Sequence, residues 1–112
     1  MQRLAGRIAI VTGAAHGIGG AIADRLAADG ANVLVADLEL DAAKARSAAI
    51  RAAGGEAIGL KVDVRARGDT EAMVARAVAE WGRLDILVSN AGITDRQPFL
   101  EMDDALWHRV MA

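Results

Sequence analysis

The sequence of 112 residues contains no cysteine, no tyrosine and a single proline, Pro98. The absence of cysteine excludes a disulfide framework, thiolate metal ligands and a cysteine nucleophile. The two histidines, His16 and His108, are too few for a histidine-rich metal cluster, so we expect no metal site. Thirteen Lys and Arg residues against fifteen Asp and Glu give a net charge of −2. There is therefore no basic field to hold a nucleic acid.

Long hydrophobic runs are also lacking. The apolar run Ile8–Val11 is too short for the core of a signal peptide, and no stretch approaches the roughly 18 apolar residues of a membrane span. We therefore expect a soluble, cytoplasmic protein with no membrane partner. Hydrophobic residues nevertheless make up 54% of the chain and charged residues 25%, which is typical of a folded domain. We expect residues 1–112 to form one continuous unit.

Short apolar runs alternate with segments of helical periodicity. We predict strands over residues 8–11, 32–36, 57–62 and 85–88. We predict helices over residues 17–29, 41–53 and 68–81, and a last one beginning at Asp103, with Asp41 as the cap of the second and Gly30 and Gly82 ending the first and third. Strands that alternate with helices indicate an α/β fold with a doubly wound parallel sheet. The pattern alone leaves open a flavodoxin-like arrangement or another doubly wound fold.

The segment between the first predicted strand and helix, Thr12–Gly19, is rich in glycine. Gly13 allows a sharp turn out of the strand, Gly17 allows the backbone to approach a phosphate, and Gly19 allows close packing on the sheet. The helix N-terminus adds unpaired N–H groups and the positive end of its dipole. No lysine follows the last glycine, so a triphosphate-binding P-loop is a poor match. We predict a pyrophosphate site, and the alternative is a turn that only permits tight packing.

Asp37 stands at the end of the second predicted strand, 18 residues after Gly19. A carboxylate at this position can accept hydrogen bonds from both hydroxyls of an adenosine ribose and repels a 2′-phosphate. Leu38, the next residue, offers no positive charge to such a phosphate. Asp37 therefore predicts NAD rather than NADP as cofactor. The alternative is an exposed acid in a loop that also contains Glu39 and Asp41.

Taken together, these motifs resemble those of the short-chain dehydrogenase/reductase family, over essentially the whole chain. Thr12–Gly19 matches the family's Thr-Gly-x-x-x-Gly-x-Gly cofactor motif, Asp63-Val64 is similar to its adenine-binding pair, and Asn90-Ala91-Gly92 resembles its Asn-Ala-Gly motif. Ser89 stands where the family often has a second asparagine before that motif. His16 occupies a variable motif position at which NADP-preferring relatives often carry Arg or Lys, and we expect it to be a loop residue near the cofactor.

The resemblance implies a role for each matched residue. The Asp63 side chain would accept a hydrogen bond from the adenine amino group, and the Val64 N–H would donate to the ring. Ala91 and Gly92 would line the adenosine ribose, and Asn90 would tie the central strands together. The candidate cofactor-binding residues are Gly13, Gly17, Ile18, Gly19, Asp37, Asp63, Val64, Asn90, Ala91 and Gly92.

The family's catalytic residues have no counterpart in this chain. In the family, the tyrosine of a Tyr-x-x-x-Lys motif donates a proton to the developing alkoxide, with a serine and an asparagine completing the site. This chain has no tyrosine, and its lysines and serines do not stand at matching positions. We therefore assign no catalytic residue. We expect the nucleotide half of a longer NAD-dependent oxidoreductase that acts on an alcohol or a ketone, and the half alone to be inactive.

The family's larger parallel sheet implies that this half supplies a Rossmann-type sheet of about four strands in the order 3-2-1-4. The fourth strand would then be an exposed edge, open to pairing with another chain. We therefore expect the isolated chain to be marginally stable, to aggregate, or to pair with a complementing chain, and the complete protein to be a homo-oligomer. The alternative is a non-catalytic module that binds a dinucleotide or assembles with a partner.

Overall fold

The computed structural model describes residues 3–89 and the backbone of residues 99–101. The strands are β1 (Ile8–Thr12), β2 (Asn32–Asp37), β3 (Glu56–Lys61), β4 (Ile86–Ser89) and β5 (Phe99–Glu101). The helices are α1 (Gly17–Ala28), α2 (Leu40–Ala52) and α3 (Arg67–Trp81). Every strand and helix predicted before residue 90 is present to within two residues at each end. The helix predicted from Asp103 lies outside the described residues.

The strands form one sheet in the order β3-β2-β1-β4-β5. The first four are parallel, with Ala9 of β1 opposite Val33 of β2 on one side and Ile86 of β4 on the other. Parallel strands joined by helices require crossover connections, which place the helices against the faces of the sheet. The predicted doubly wound parallel sheet in the order 3-2-1-4 is therefore confirmed.

The fifth strand was not predicted. β5 is antiparallel to β4, and Val88 pairs with Leu100. The expectation that β4 forms an exposed edge was therefore wrong, because the chain itself returns to cover the unpaired N–H and C=O groups of β4. A strand of three residues is too short for hydrophobic periodicity to reveal it.

Two apolar clusters cover the two faces of the sheet. Alternate residues of each strand point to opposite faces, so Ala9 and Val11 of β1 join one cluster while Ile8 and Ile10 join the other. The first cluster includes Ala23, Ala27, Ala43 and Ile50 from α1 and α2, and the second includes Met73, Val74 and Ala77 from α3. Burial of a Val, Leu or Ile side chain contributes about 1.5–3 kcal/mol. The two clusters therefore hold the strand ends, and the loops that follow them, in fixed positions.

The ends of the helices follow the predictions in all but one case. Gly30, after α1, has a φ of 102°, and Gly82, after α3, has a φ of 85°. Both angles lie in the left-handed region that favours glycine. The prediction that Asp41 caps α2 was wrong, because Glu39 is the N-cap and Asp41 lies in the first turn. Its carboxylate there still interacts favourably with the positive end of the helix dipole.

Helix α2 and strand β3 pack with their backbones in close contact. A Cβ atom added at Gly59 of β3 would lie 2.7 Å from the backbone oxygen of Ala43 in α2. Real Cβ atoms do not approach backbone this closely, so Gly59 is required at this position. The contact fixes the height of α2 above the sheet and so positions the loop that joins β2 to α2.

Asp85 joins the beginnings of β1 and β4. Its N–H donates to the backbone oxygen of Ile8 at 2.9 Å, and its Oδ2 accepts the N–H of Ile8 at 2.8 Å. The carboxylate, of which 5% is exposed, also accepts a 3.0 Å hydrogen bond from Nε of Arg83 and lies 3.5 Å from Arg7. Two arginines therefore neutralise the buried charge. Asp85 is thus a polar link between two neighbouring parallel strands.

Candidate functional site

The candidate site lies at the edge of the sheet where the parallel strands have their carboxyl ends. β1 leads into the glycine-rich segment, β2 ends at Asp37, and Asp63 follows β3 by two residues. The chain moves outward from β1 to β2 and β3 and then returns to the other side of β1 at β4. In open α/β sheets, ligands bind in the crevice outside such a reversal of strand order. The topology thus brings the predicted loops of β1, β2 and β3 to one edge.

The glycine-rich segment has the backbone conformation that its glycines predict. Gly13 has a φ of 62° and Gly17 a φ of 57°, both in the left-handed region. A Cβ added at Gly17 would meet no atom within 4 Å, so the backbone there faces open space. Gly19 is buried in the first turn of α1, where it allows the helix to lie close to the sheet. The segment is therefore shaped for close approach of a ligand to its backbone.

The N-terminus of α1 fits an anion. His16 is the N-cap in an extended conformation, and its side chain makes no capping hydrogen bond within the described part of the chain. The first turn of α1 contains no acidic residue. The first N–H groups of a helix have no intrahelical partner and carry the positive end of its dipole. This donor set, beside the open backbone of Gly17, matches the pyrophosphate of a dinucleotide.

Asp37 links the two loops that would surround an adenosine ribose. Its Oδ2 accepts the N–H of Ala15 in the glycine-rich segment at 3.1 Å, and its Oδ1 accepts the N–H of Glu39 at 3.0 Å. A carboxylate has about four lone-pair positions, so further hydrogen bonds from ribose hydroxyls remain available. The two backbone donors hold the carboxylate in one orientation at the end of β2.

His16 pairs with an acid at the surface of the molecule. Its Nε2 lies 2.8 Å from Oε2 of Glu39, which follows Asp37 by two residues. Both side chains of this pair are exposed, so the pair adds little to the stability of the fold. Asp37 and Glu39 thus place two acidic side chains beside the glycine-rich segment. Of these two acids, Glu39 pairs with the imidazole of His16.

Asp63 is already engaged by a neighbouring arginine. Its carboxylate accepts hydrogen bonds from Nε of Arg65 at 3.1 Å, from Nη2 at 3.2 Å and from the backbone N–H of Arg65 at 2.9 Å. The Arg65 side chain, and then its backbone N–H, holds the pKa of Asp63 below its usual value. The same contact raises the pKa of Arg65. Val64, between them, packs against the apolar cluster on the α3 face.

Two large apolar side chains beside the site are exposed. Ile18 in the first turn of α1 is 61% exposed, and Leu38, directly after Asp37, is 54% exposed. They offer apolar surface at the N-terminus of α1 and directly after β2. The sequence interpretation considered Leu38 only as a position without charge and missed this apolar surface.

Arg46 is a site neighbour that the sequence analysis missed. Although it lies on α2, its Nη2 donates to the backbone oxygen of Ala15 at 3.1 Å and its Nη1 to Oδ2 of Asp24 in α1 at 2.7 Å. The helical pattern places Arg46 on a polar face, which gives no sign of such a contact. The one available signal was Gly20, a glycine inside a helix.

The described residues offer neither a metal cluster nor a membrane-spanning helix. No cluster of three or more His, Cys, Asp or Glu side chains in residues 3–89 is arranged to hold a metal ion. Among the helices in those residues, none combines the length and the apolar character needed to cross a membrane. The predicted site residues Asn90, Ala91 and Gly92 lie outside the described residues. Within the described residues, the candidate site thus consists of the segments that follow β1, β2 and β3.

The fold and this edge define the class of protein: a Rossmann-type α/β domain with a glycine-rich segment after β1 and an acid after β2. A family model described as short chain dehydrogenase matches residues 7–112, and the chain belongs to this family. Members of the family are oxidoreductases that bind nicotinamide dinucleotides, act on small molecules and are commonly oligomers.

Curated relatives and solved structures agree with this assignment. The chain is 46% identical over 109 residues to 3beta-hydroxysteroid dehydrogenase 2 of Eggerthella lenta, with 96% of the chain and 42% of the relative covered. It is 43% identical over 111 residues to cis-4-hydroxycyclohexanecarboxylate dehydrogenase of Sinomonas cyclohexanicum, covering 98% of the chain and 44% of that relative. A hydroxysteroid dehydrogenase structure from Escherichia coli matches with a TM-score of 0.78 and 39% identity over 86% of this chain and 41% of that one. The chain thus spans less than half the length of these relatives.

Proposed function

We propose that this chain is the cofactor-binding part of an NAD-dependent oxidoreductase that transfers hydride between the cofactor and an alcohol or a ketone. The observation that carries the proposal is the position of Asp37. Its carboxylate lies at the end of β2 and is hydrogen-bonded to the glycine-rich segment through Ala15. That position is next to the N-terminus of α1, where an anion fits. In a dinucleotide site of this fold the pyrophosphate lies at the helix N-terminus and the ribose at an acid such as this one.

The backbone at the start of α1 would hold the pyrophosphate. Gly13 and Gly17 supply the turn and the open approach, and the N–H groups of Gly17, Ile18 and Gly19 supply donors at the positive end of the helix dipole. The absence of a lysine after Gly19 supports a diphosphate bridge rather than a triphosphate.

Charge around the ribose favours NAD over NADP. The carboxylate of Asp37 would accept hydrogen bonds from the ribose hydroxyls and repel a 2′-phosphate. Glu39 adds a second acid and pairs with His16, so the imidazole of the glycine-rich segment offers little attraction to a phosphate. The unphosphorylated cofactor is thus the one that the electrostatics support.

The adenine would lie between Leu38 and the loop after β3. The exposed side chain of Leu38 offers an apolar surface for one face of the ring. Asp63 would accept a hydrogen bond from the adenine amino group, and the Val64 N–H would donate a hydrogen bond to the ring. Asp63 would keep its contact with Arg65. By family resemblance, Ala91 and Gly92 would line the ribose and Asn90 would tie the strands together.

When bound, the nicotinamide of the cofactor would supply the hydride. This chain would hold and orient the cofactor. Proton transfer to the alkoxide requires an acid that none of the described residues provides, and the chain has no tyrosine. We therefore assign the proton donor to a segment beyond these 112 residues and expect residues 1–112 alone to be inactive. We place the complete protein in the cytoplasm, as a homo-oligomer or paired with a complementing chain.

Titration calorimetry of the intact natural protein with NAD and with NADP tests the proposal. We expect NAD to bind in the micromolar range and NADP to bind more weakly. Failure to bind either cofactor at millimolar concentration would remove the cofactor-binding function. Equal affinity for both would remove the role of Asp37 in selection.

A non-catalytic module that binds a dinucleotide or assembles with a partner is the second candidate. The absence of tyrosine, and of any matching lysine or serine, is the observation that favours it. The formation of NADH by the intact protein with a panel of secondary alcohols separates the two candidates. Cofactor binding without turnover of any alcohol or ketone would favour the module.

A further inference from the structure

Arg46 connects helix α2 to the glycine-rich segment. Its side chain, of which 27% is exposed, lies across α1. Nη2 donates to the backbone oxygen of Ala15 at 3.1 Å, and Nη1 donates to Oδ2 of Asp24 at 2.7 Å. The ion pair with Asp24 holds the guanidinium in the orientation that reaches the carbonyl. A charged donor to a carbonyl is stronger than a neutral one.

Gly20 provides the space for this guanidinium. A Cβ added at Gly20 would lie 2.6 Å from Nη2 of Arg46 and 2.9 Å from its Cζ. Any other residue at position 20 would therefore move the guanidinium. Glycine is a poor residue inside a helix, so its presence in α1 needs a packing reason. The contact with Arg46 supplies that reason.

Ala15 is consequently held on both sides. Its N–H donates to Oδ2 of Asp37 at 3.1 Å, and its carbonyl accepts from Nη2 of Arg46 at 3.1 Å. Residue 15 directly precedes the N-cap of α1, so its orientation determines where the first N–H groups of the helix point. The geometry points to Arg46 as a positioning residue of the cofactor site, one that keeps the pyrophosphate-binding backbone in its binding conformation before the cofactor arrives. This inference rests on the proposed function.

The replacement Arg46→Met in the intact natural protein tests the inference, because methionine keeps the apolar stem and removes the donors. In the cofactor-free protein we expect amide hydrogen exchange within residues 13–20 to become about tenfold faster at Ala14, Ala15 and Gly20, whose N–H groups are hydrogen-bonded. We expect the Kd for NAD to rise about tenfold, the effect of one lost charge-assisted hydrogen bond. Arg51→Met is the matched control. Arg51 lies on the same helix and donates to a backbone oxygen, that of Ala57, away from the glycine-rich segment.

Gly20→Ala separates positioning from a merely structural role. Alanine is the better helix residue, so we expect Tm to stay the same or rise. The added Cβ displaces the guanidinium, so we expect NAD to bind more weakly although the protein is no less stable. The double variant Gly20→Ala/Arg46→Met should bind NAD as weakly as Arg46→Met alone. Each of the two changes removes the same contact, the hydrogen bond from Arg46 to Ala15.

The two measurements distinguish this inference from the proposed function. Unchanged exchange at residues 13–20 in Arg46→Met, or faster exchange with an unchanged Kd for NAD, would overturn the positioning role and leave the proposed function intact. An effect of Arg51→Met as large as that of Arg46→Met would also overturn it. If the unaltered protein binds no nicotinamide dinucleotide, the proposed function fails, and hydrogen exchange alone then decides whether Arg46 holds the segment.

Discussion

At the scale of single residues, Asp37 shows how one side chain can connect two loops of a candidate site. Its two oxygens accept the N–H groups of Ala15 and Glu39, so the carboxylate is fixed between two loops. A fixed carboxylate loses little conformational freedom when a ribose arrives. Under the proposed function, the selection of the cofactor would therefore depend on the same group that holds the glycine-rich segment.

Replacement of Asp37 by alanine tests both consequences. We expect Asp37→Ala to weaken NAD binding about tenfold, because the ribose loses a charged acceptor. The preference for NAD over NADP should narrow, since the repulsion of a 2′-phosphate is reduced. Calorimetric titration with both cofactors measures the two effects. Asp41→Ala, which removes a nearby acid in the first turn of α2, is the control and should leave both affinities within about twofold.

Gly59 allows a prediction about stability. Gly59→Ala would place a Cβ against the backbone of α2 at Ala43, so we expect a loss of about 1–3 kcal/mol in the free energy of unfolding. Gly68→Ala is the control, because a Cβ there meets nothing within 4 Å, and its effect should stay within about 0.5 kcal/mol. Urea denaturation of the intact protein measures both. An equal loss in the two variants would show that helix-to-strand contact does not require Gly59.

The pair of Asp63 and Arg65 makes a prediction about pH. Because Arg65 holds the pKa of Asp63 below its ordinary 3.8, the folded protein releases this proton more readily than the unfolded chain. The stabilisation by this pair is therefore present above about pH 3.8 and is lost as the pH falls through the lower folded value. Arg65→Met should return the pKa of Asp63 toward 3.8 in a carboxyl NMR titration. Arg67→Met should leave that pKa unchanged, and a shift of equal size in both variants would contradict the assignment.

At the scale of helices and strands, the sequence could predict those features that apolar periodicity and glycine positions reveal. Continuous apolar runs marked β1 and β2, and the left-handed residues Gly30 and Gly82 marked the ends of α1 and α3. The link between Arg46 and Ala15 could not be predicted, because it joins a helix face to a loop 31 residues away. Such a contact depends on how two helices pack, which periodicity does not specify.

Asp85 gives the prediction at this scale, since it joins β1 to β4. Asp85→Ala would leave the N–H of Ile8 without its acceptor and two arginines without their partner. We expect a loss of about 2–3 kcal/mol in the free energy of unfolding. Glu80→Ala breaks an exposed pair with Arg76 and should cost about 0.5 kcal/mol or less. Chemical denaturation compares the two, and a similar cost for both would deny Asp85 a special role.

At the scale of the whole molecule, the order of strands 3-2-1-4 followed from the resemblance and was confirmed, whereas the fifth strand was not foreseen. The chain spans 42% of the length of a curated relative that it matches at 46% identity. The relatives' longer chains supply further structure that this segment does not contain. The meeting of three strand ends at one edge was predictable because parallel strands bring their carboxyl ends together. The partners of Asp63 and His16 were not, because Arg65 and Glu39 reach them through flexible side chains.

We expect residues 1–112, expressed alone, to aggregate or associate. The reason is that the chain spans 42% of the length of a relative, so surface that the rest of the family fold would cover is exposed to other copies. Sedimentation velocity measures the association, and the same measurement on the intact natural protein is the control, which should give a soluble species of defined size. A monodisperse monomer with cooperative unfolding would contradict the expectation.

The link between Ile8 and Asp85 spans 77 positions of the chain and therefore has a consequence for the order of assembly during synthesis. β1, β2 and β3 emerge from the ribosome in succession and can pair as neighbours while translation continues. β4, which follows α3 in the chain, pairs with β1 on the side opposite β2. This pairing closes a longer loop than the pairing of β1 with β2, so we expect it to form more slowly. We therefore expect the nascent polypeptide to form the part of the sheet edge that contains Asp37 and Asp63 first, and the part beside β4 last.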